Sequence, residues 1–139
     1  MTNKDYMCNL STMKPEKKLP QIADSEWEVM KVLWKKAPRT AREIIDALEP
    51  VKEWKPKTVK TLLNRLVTKG ALDYTQDGKN YIYSPAVARK DCVRNETRSF
   101  LDRVYDGSPT PMIAAFIQDE KLSPEEIREL RKILDRKGG

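Results

Sequence analysis

The 139 residues carry 27 Lys and Arg against 21 Asp and Glu, which gives a net charge of +6. No apolar run approaches the ~18 residues that a membrane span requires, and residues 1–20 lack the apolar centre of a secretory signal, so we expect a cytoplasmic protein without membrane insertion. Two cysteines and no histidine exclude an ordinary structural zinc site and remove the commonest general base, so we expect no metal, no cofactor and no enzyme.

A polar leader precedes the first predicted helix. Residues 1–19 show no hydrophobic periodicity, and we interpret them as flexible. The helix is predicted from about residue 24 to residue 36, with Asp24 or Ser25 as its cap, because Ser25 and Glu28 have capping-box spacing. Its apolar stripe recurs at helical intervals and consists of Trp27, Val29, Met30, Leu33 and Trp34.

Two further helices follow, and local signals mark their ends. Thr40 and Glu43 form a second capping box, and Pro50 is predicted to close that helix. The third helix begins with Pro56, whose missing N–H costs nothing at a first helical position, and ends at Gly70, which tolerates the left-handed conformation. Its aliphatic residues form one apolar face, with the helical spacing expected of a core contact: Val59, Leu62, Leu63, Leu66 and Val67.

The opposite face of the third helix is polar and basic. Residues 52–69 hold six Lys and Arg side chains and one acidic residue, Glu53. Short polar side chains with long basic ones a turn apart suit a recognition helix in the major groove of double-stranded DNA. We predict that Arg65 reads a base edge, that the lysines hold phosphates and that the threonines do either. The candidate residues are Lys57, Thr58, Lys60, Thr61, Asn64 and Arg65. A solvated lysine-rich face is the alternative for the charge run alone.

A β-hairpin is predicted after the third helix. The strand-like residues 71–75 and 81–84 flank Asp77-Gly78, which is a strong hairpin turn signal. Three helices followed by a hairpin are the arrangement of a winged helix-turn-helix, which we place at residues 20–85. The candidate contacts at the tip, to the DNA backbone or minor groove, are Lys79 and Asn80.

Residues 86–139 are predicted to be wholly helical. Three amphipathic helices, from about Ala86 to Tyr105, from about Pro111 and from a capping box at Ser123, cannot easily bury their apolar surface within one chain. We therefore predict a three-helix dimerisation module, because a second copy would cover that surface; packing back on the first domain is the alternative. The expected fold is mostly α with a small β-hairpin wing. The predicted dimer contacts are Phe100, Leu101, Val104, Ile113, Phe116, Ile127, Leu130 and Leu134.

The tryptophans and Cys92 each allow two interpretations. Trp27 and Trp34 are predicted in the core rather than in a ligand cage, because they lie in the stripe of the first helix. Trp54 either packs against the turn before the third helix or lies along a sugar–phosphate backbone, and we favour packing. Cys92 is predicted to be an inert thiol, with redox sensing as the alternative.

Several segments together resemble a known family. Residues 25–30 (SEWEVM), 54–62 (WKPKTVKTL), 104–107 (VYDG) and 122–127 (LSPEEI) resemble the penicillinase and methicillin-resistance repressors of the BlaI/MecI type. The resemblance extends over roughly residues 20–136. It implies a winged-helix transcriptional repressor that binds dyad-symmetric operator DNA as a homodimer, with the candidate residues of the third helix at the operator.

The resemblance also bears on how such a repressor is released. In the best-known members a membrane-bound metalloprotease sensor leads to cleavage between an asparagine and a phenylalanine, and the matching bond here is Ala115–Phe116. The phenylalanine is kept and the asparagine is not, which leaves cleavage open and puts control by β-lactam in doubt. Lys55 stands where the family commonly has serine, so a helix cap is lost and a charge is gained.

Two functions of other classes compete with repression. A winged-helix module can dock an acidic protein partner through its basic face, and a regulator can hold a small molecule between its domains. Few polar groups are available to line such a pocket, so the second alternative ranks below the first.

Overall fold

The computed structural model describes residues 19–138, so most of the predicted leader and Cys8 lie outside the described residues. None of the helices within 19–138 is long and apolar enough to cross a membrane. The secondary-structure elements in chain order are α1 (Asp24–Lys35), β1 (Arg39–Thr40), α2 (Ala41–Lys52), α3 (Pro56–Lys69), β2 (Leu72–Asp77), β3 (Asn80–Pro85), α4 (Arg89–Tyr105), α5 (Pro109–Asp119) and α6 (Pro124–Gly138).

The chain forms two compact units, and the boundary between them lies between Asn95 and Glu96, inside α4. Residues 86–95, which we predicted in the second domain, therefore belong with the first unit. Their packing explains the assignment, because Cys92 is a member of the first unit's core and Val87 packs against it. The helix α4 itself starts at Arg89, three residues after the predicted start.

The cap of α1 differs from the prediction. Its N-cap is Ala23, and the backbone N–H of Ala23 donates to Oε1 of Glu26 at 2.9 Å. The predicted capping by Asp24 or Ser25 is wrong, and Glu28 pairs instead with Lys31 at 3.4 Å. The Glu26 carboxylate that accepts this bond also contacts a residue far along the sequence, which is described below.

The cap of α2 is the predicted one, but its end is not. The backbone N–H of Glu43 donates to Oγ1 of Thr40 at 3.2 Å, and the Glu43 carboxylate accepts from the N–H of Thr40 at 2.9 Å. The helix continues past Pro50, which removes only one hydrogen bond so close to the end. Its final turn is closed by the N–H of Glu53, which donates to the carbonyl of Glu49 at 3.1 Å.

The helix α3 has both predicted ends. Pro56 occupies its first turn, and Gly70 ends it at φ 86°, a left-handed conformation that costs glycine little. Lys55 is the N-cap and makes no side-chain cap bond, as expected for a lysine in that position. The aliphatic face of α3 packs with α1, α2 and β2 in a core of Ile22, Val29, Met30, Leu33, Ile44, Ile45, Leu48, Val59, Leu62, Leu63, Leu66, Ala71, Leu72, Tyr83 and Cys92.

The sheet has the strand order β1-β3-β2, and all of its pairs are antiparallel. The predicted hairpin is present, but its turn is shifted by one residue: Asp77 pairs with Asn80, so the two-residue loop is Gly78-Lys79, with Gly78 at φ 64°. The two-residue strand β1 was not predicted. Its Thr40 pairs with Ile82 of β3 while its side chain caps α2.

The second unit contains most of α4 together with α5 and α6. Asp106 and Gly107 adopt positive φ values and end α4 as predicted; the N–H of Gly107 donates to the carbonyl of Leu101 at 3.1 Å. The helix α5 starts at Pro109 rather than at Pro111. The predicted capping box of α6 is confirmed, since the N–H of Glu126 donates to Oγ of Ser123 and the N–H of Ser123 donates to the Glu126 carboxylate.

Candidate nucleic-acid interface

The two faces of α3 differ sharply in burial. Val59, Leu63 and Leu66 have no exposed surface, and Leu62 keeps only 4%. The six predicted side chains on the opposite face are all exposed: Lys57, Thr58, Lys60, Thr61, Asn64 and Arg65. One rigid helix therefore presents this whole set, which we call the outer face of α3, to solvent on a single side.

Most of the positive charge around α3 is available to a ligand. Within residues 19–138 the ion pairs involve none of Lys52, Lys55, Lys57, Lys60 and Arg65. Lys57 and Lys60 lie in the first half of the helix, where backbone N–H groups also favour anions. This half of the outer face is suited to contact with phosphate.

Lys69 does not belong to that available charge, although the sequence counts it in the basic window. Its ammonium lies 2.5 Å from Oε1 of Glu26 and donates to the carbonyl of Gln21 at 2.9 Å. The Glu26 side chain is 1% exposed, whereas that of Lys69 is 35% exposed. Lys69 is thus committed to fastening the end of α3 to the start of α1.

Glu26 is the residue of this unit that sequence reasoning missed. Burial raises the pKa of its carboxyl, but the hydrogen bonds from Lys69 and from the Ala23 N–H, with the charges of Lys69 and Arg65, outweigh burial and hold that pKa below its usual value. Its position was a usable signal, because residues 26, 30 and 33 have the spacing of one buried helix face. An acidic residue on that face needs a cation, and Lys69 supplies it.

The two threonines of the outer face differ in their hydrogen bonds. Oγ1 of Thr61 donates to the backbone carbonyl of Lys57 at 3.0 Å. No comparable bond to another described residue is made by the hydroxyl of Thr58, whose backbone N–H closes the first turn on Lys55. Their side chains are therefore not equivalent donors.

The wing carries polar residues at its tip and aromatic residues along one side. Lys79 lies in the turn and Asn80 begins β3, and both are exposed. Tyr74 and Tyr81 are 49% and 43% exposed, with ring centroids 5.4 Å apart. Tyr83, in contrast, is 7% exposed and belongs to the core. The tyrosine pair was not predicted as a feature of the site.

The three tryptophans pack, as predicted. Trp27 and Trp34 lie with ring centroids 5.6 Å apart, partly buried against the core. Nε1 of Trp34 donates to the carbonyl of Val87 at 3.0 Å. Trp54 also packs against the core, so its ring supports the loop before α3.

Cys92 has the properties of an unreactive thiol. It is 3% exposed, and burial, with a smaller effect of the Asp91 charge, raises its pKa to about 11. A thiol that stays protonated is a poor nucleophile. Within residues 19–138 no group of three His, Cys, Asp or Glu residues is arranged to hold a metal ion.

The predicted dimer contacts in the second unit are mostly exposed apolar side chains. Leu101 is an exception, because it is 7% exposed within the single chain and offers little surface to a partner. Leu130 is partly buried. The others keep 39–62% of their surface exposed, and these are Phe100, Val104, Ile113, Phe116, Ile127 and Leu134. Ala115 and Phe116, which flank the predicted cleavage bond, both lie inside α5.

Comparisons with known proteins cover nearly the whole chain. Residues 22–136 match the penicillinase repressor family. The chain is 42% identical over 119 residues to the penicillinase repressor of Bacillus licheniformis, covering 86% of this chain and 93% of that protein. It is 37% identical over 122 residues to the methicillin resistance regulatory protein MecI of Staphylococcus aureus (strain N315), covering 88% of this chain and 99% of that one.

A solved structure supports the winged-helix fold of the first unit. The solution structure of the DNA binding domain of the repressor BlaI has a TM-score of 0.50 and 43% sequence identity, with coverage of 55% of this chain and 93% of that domain. Together with the sequence matches, this establishes that the chain belongs to the penicillinase repressor family.

Proposed function

We propose that this protein is a transcriptional repressor that binds dyad-symmetric operator DNA through the outer face of α3. The observation that carries the proposal is the one-sidedness of that helix. On its aliphatic face Val59, Leu62, Leu63 and Leu66 are buried to 4% exposure or less and Val67 is partly buried, whereas its opposite face holds six exposed hydrogen-bonding side chains. Fourteen helical residues extend about 21 Å, and the major groove admits such a helix. The similarity to the DNA binding domain of BlaI supports this assignment.

The residues of the outer face have separable roles in this proposal. Arg65 has a planar guanidinium that can make two bonds to one guanine edge, and no ion pair within the described part of the chain restrains it. Lys57 and Lys60 hold phosphates and set the register of the helix on the duplex. Lys79 and Asn80 at the wing tip add contacts to the DNA backbone or minor groove.

Homodimerisation is the second part of the proposal. A dyad-symmetric operator is read by two copies of α3, and a two-fold protein dimer provides them. The exposed apolar side chains of the second unit, with Phe116 at 62% exposure and Leu134 at 57%, give a second copy of the chain a surface to cover. A repressor of this kind acts by occupying the promoter.

We further propose that the repressor is released from DNA by proteolytic cleavage. The Ala115–Phe116 bond lies within α5, and proteases act preferentially on exposed loops rather than on intact helices. Cleavage by a membrane-bound metalloprotease sensor therefore requires that α5 unfolds locally first.

Salt dependence of binding tests the central proposal. Affinity for DNA from the chain's own upstream region is measured at 50–200 mM salt. Each phosphate contact that forms releases counterions from the DNA and contributes about −0.9 to the slope of log K against log salt. We expect Lys57→Gln to make that slope less negative by about one per half-site, and Lys31→Gln, which removes the same charge from α1, to leave it unchanged. A slope near zero for the unaltered protein refutes the proposal.

A further inference from the structure

The side chain of Thr61 is held in one orientation by its own helix. Its hydroxyl donates to the carbonyl of Lys57 at 3.0 Å, and the residue is exposed. A threonine in this bond has used its one donor hydrogen, and the bond selects one of its two helical rotamers. Thr61 therefore offers a ligand its methyl group and the remaining lone pairs of Oγ1, but no donor.

Thr61 also lies at the centre of the outer face of α3. Residues three and four positions away are its neighbours on the helix surface, and these are Lys57, Thr58, Asn64 and Arg65. All four present polar or charged groups, and all four are exposed. Thr58 also carries a methyl group, but among the described residues only the hydroxyl of Thr61 bonds to its own helix on this face, so the methyl of Thr61 is the one held in a fixed position at its centre.

The major groove contains one apolar group that such a methyl can meet. Each base pair displays donors and acceptors at its edge, and thymine adds a C5-methyl group. Contact between two methyl groups removes apolar surface from water and needs no hydrogen bond. From this geometry we propose that Thr61 is a specificity-determining residue, whose methyl packs against a thymine C5-methyl in each operator half-site. This inference rests on the proposed function, because it requires α3 to lie in the major groove.

Replacing thymine by deoxyuridine tests the contact, because this removes only the C5-methyl. The probe is a palindromic duplex built from the half-site that the full-length protein protects in its own upstream region. Each thymine is replaced in turn, in both half-sites together. One replacement is expected to raise Kd about fourfold per half-site, or about 15-fold for the dimer, which is the contribution of one buried methylene-sized group.

Two substitutions at Thr61 separate the methyl from the hydroxyl. Thr61→Val keeps a methyl and should still distinguish thymine from deoxyuridine, whereas Thr61→Ser keeps the hydroxyl and should bind both duplexes alike. The serine variant also controls for any change that deoxyuridine makes in the shape of the duplex. Thr68→Ser is the matched control, because it removes the same methyl from an exposed threonine of α3 that is not part of the outer face, and it should leave the thymine-to-deoxyuridine ratio as in the unaltered protein.

Two results would overturn the inference. One is that no thymine replacement changes Kd by more than twofold; the other is that Thr61→Ser retains the full ratio. Either leaves the proposed function intact, since the unmodified duplex is still bound. Failure of the proposed function looks different, because the unaltered protein then binds none of the duplexes at any salt concentration.

Discussion

The ion pair between Glu26 and Lys69 should contribute measurably to the stability of the first unit. Glu26→Gln keeps an oxygen that accepts from the Ala23 N–H, but it removes the charge that faces the Lys69 ammonium. A charge-assisted hydrogen bond contributes about 1.5–3 kcal/mol. Because the Lys69 side chain is 35% exposed and water can rehydrate it in part, we expect a loss of about 2 kcal/mol.

The reverse substitution should cost more, because it strands the more deeply buried partner. Lys69→Met leaves the Glu26 carboxylate, 1% exposed, without its cation. Removing one partner of a buried pair typically costs about 3–5 kcal/mol. Glu28→Gln is the matched control, since Glu28 pairs with Lys31 on the surface of the same helix at 3.4 Å, and such a pair contributes only about 0.2–0.5 kcal/mol.

The pH dependence of unfolding identifies the charge as the cause. The pKa of Glu26 is lower in the folded protein than its ordinary value of 4.5. A depressed carboxyl pKa stabilises the fold above pH 4.5, and that contribution is lost as the pH falls from 4.5 through the folded value. Glu26→Gln should lack this part of the acid sensitivity.

Urea unfolding of the full-length protein at a fixed protein concentration measures these differences. The concentration is held constant because association shifts the apparent stability. If Glu26→Gln proved no more destabilising than Glu28→Gln at pH 7, the ion pair would not stabilise the fold and the reasoning would be wrong. The same conclusion would follow if Glu26→Gln kept the full acid sensitivity of the unaltered protein.

Three further predictions concern DNA reading, assembly and the buried thiol. Arg65→Ala should lose about 1–3 kcal/mol of operator affinity and relax base preference at one position; equal weakening on random DNA would show that Arg65 contacts only the backbone. Phe116→Glu should shift the protein from dimer to monomer in sedimentation, because it places a charge on a side chain that is 62% exposed in the single chain, whereas Lys121→Glu should not. In a Cys8→Ser background, Cys92 should react with a thiol reagent at pH 8 only after denaturant is added, since its pKa is raised to about 11; rapid labelling of the folded protein would contradict its burial.

Signals that lie close together in the sequence predicted much of the fold. The box at Thr40 and Glu43, the proline at the start of α3 and Gly70 at its end each act within four residues, and each is present in the structure. The aliphatic spacing of α3 likewise predicted which face is buried. For this reason the sequence alone assigned the exposure of all six outer-face residues correctly.

The features that were missed depend on contacts between distant residues. Glu26 caps α1 and meets Lys69, 43 residues later, and no local pattern reveals that pairing. The strand β1 is two residues long and exists because Arg39 and Thr40 pair with Tyr83 and Ile82. The bond from Thr61 to its own helix is local, but residue type alone does not select its rotamer.

Thr40 makes the wing and the helix α2 mechanically dependent on each other. One residue holds the edge of the sheet through Ile82 and, with its side chain, satisfies the first turn of α2. A fluctuation that displaces Thr40 itself disrupts both its pairing with Ile82 and its bond to the amide of Glu43. Local openings that must break several contacts at once are rarer than motions of an isolated loop, so we expect slower hydrogen exchange at this edge of the sheet than at the hairpin tip.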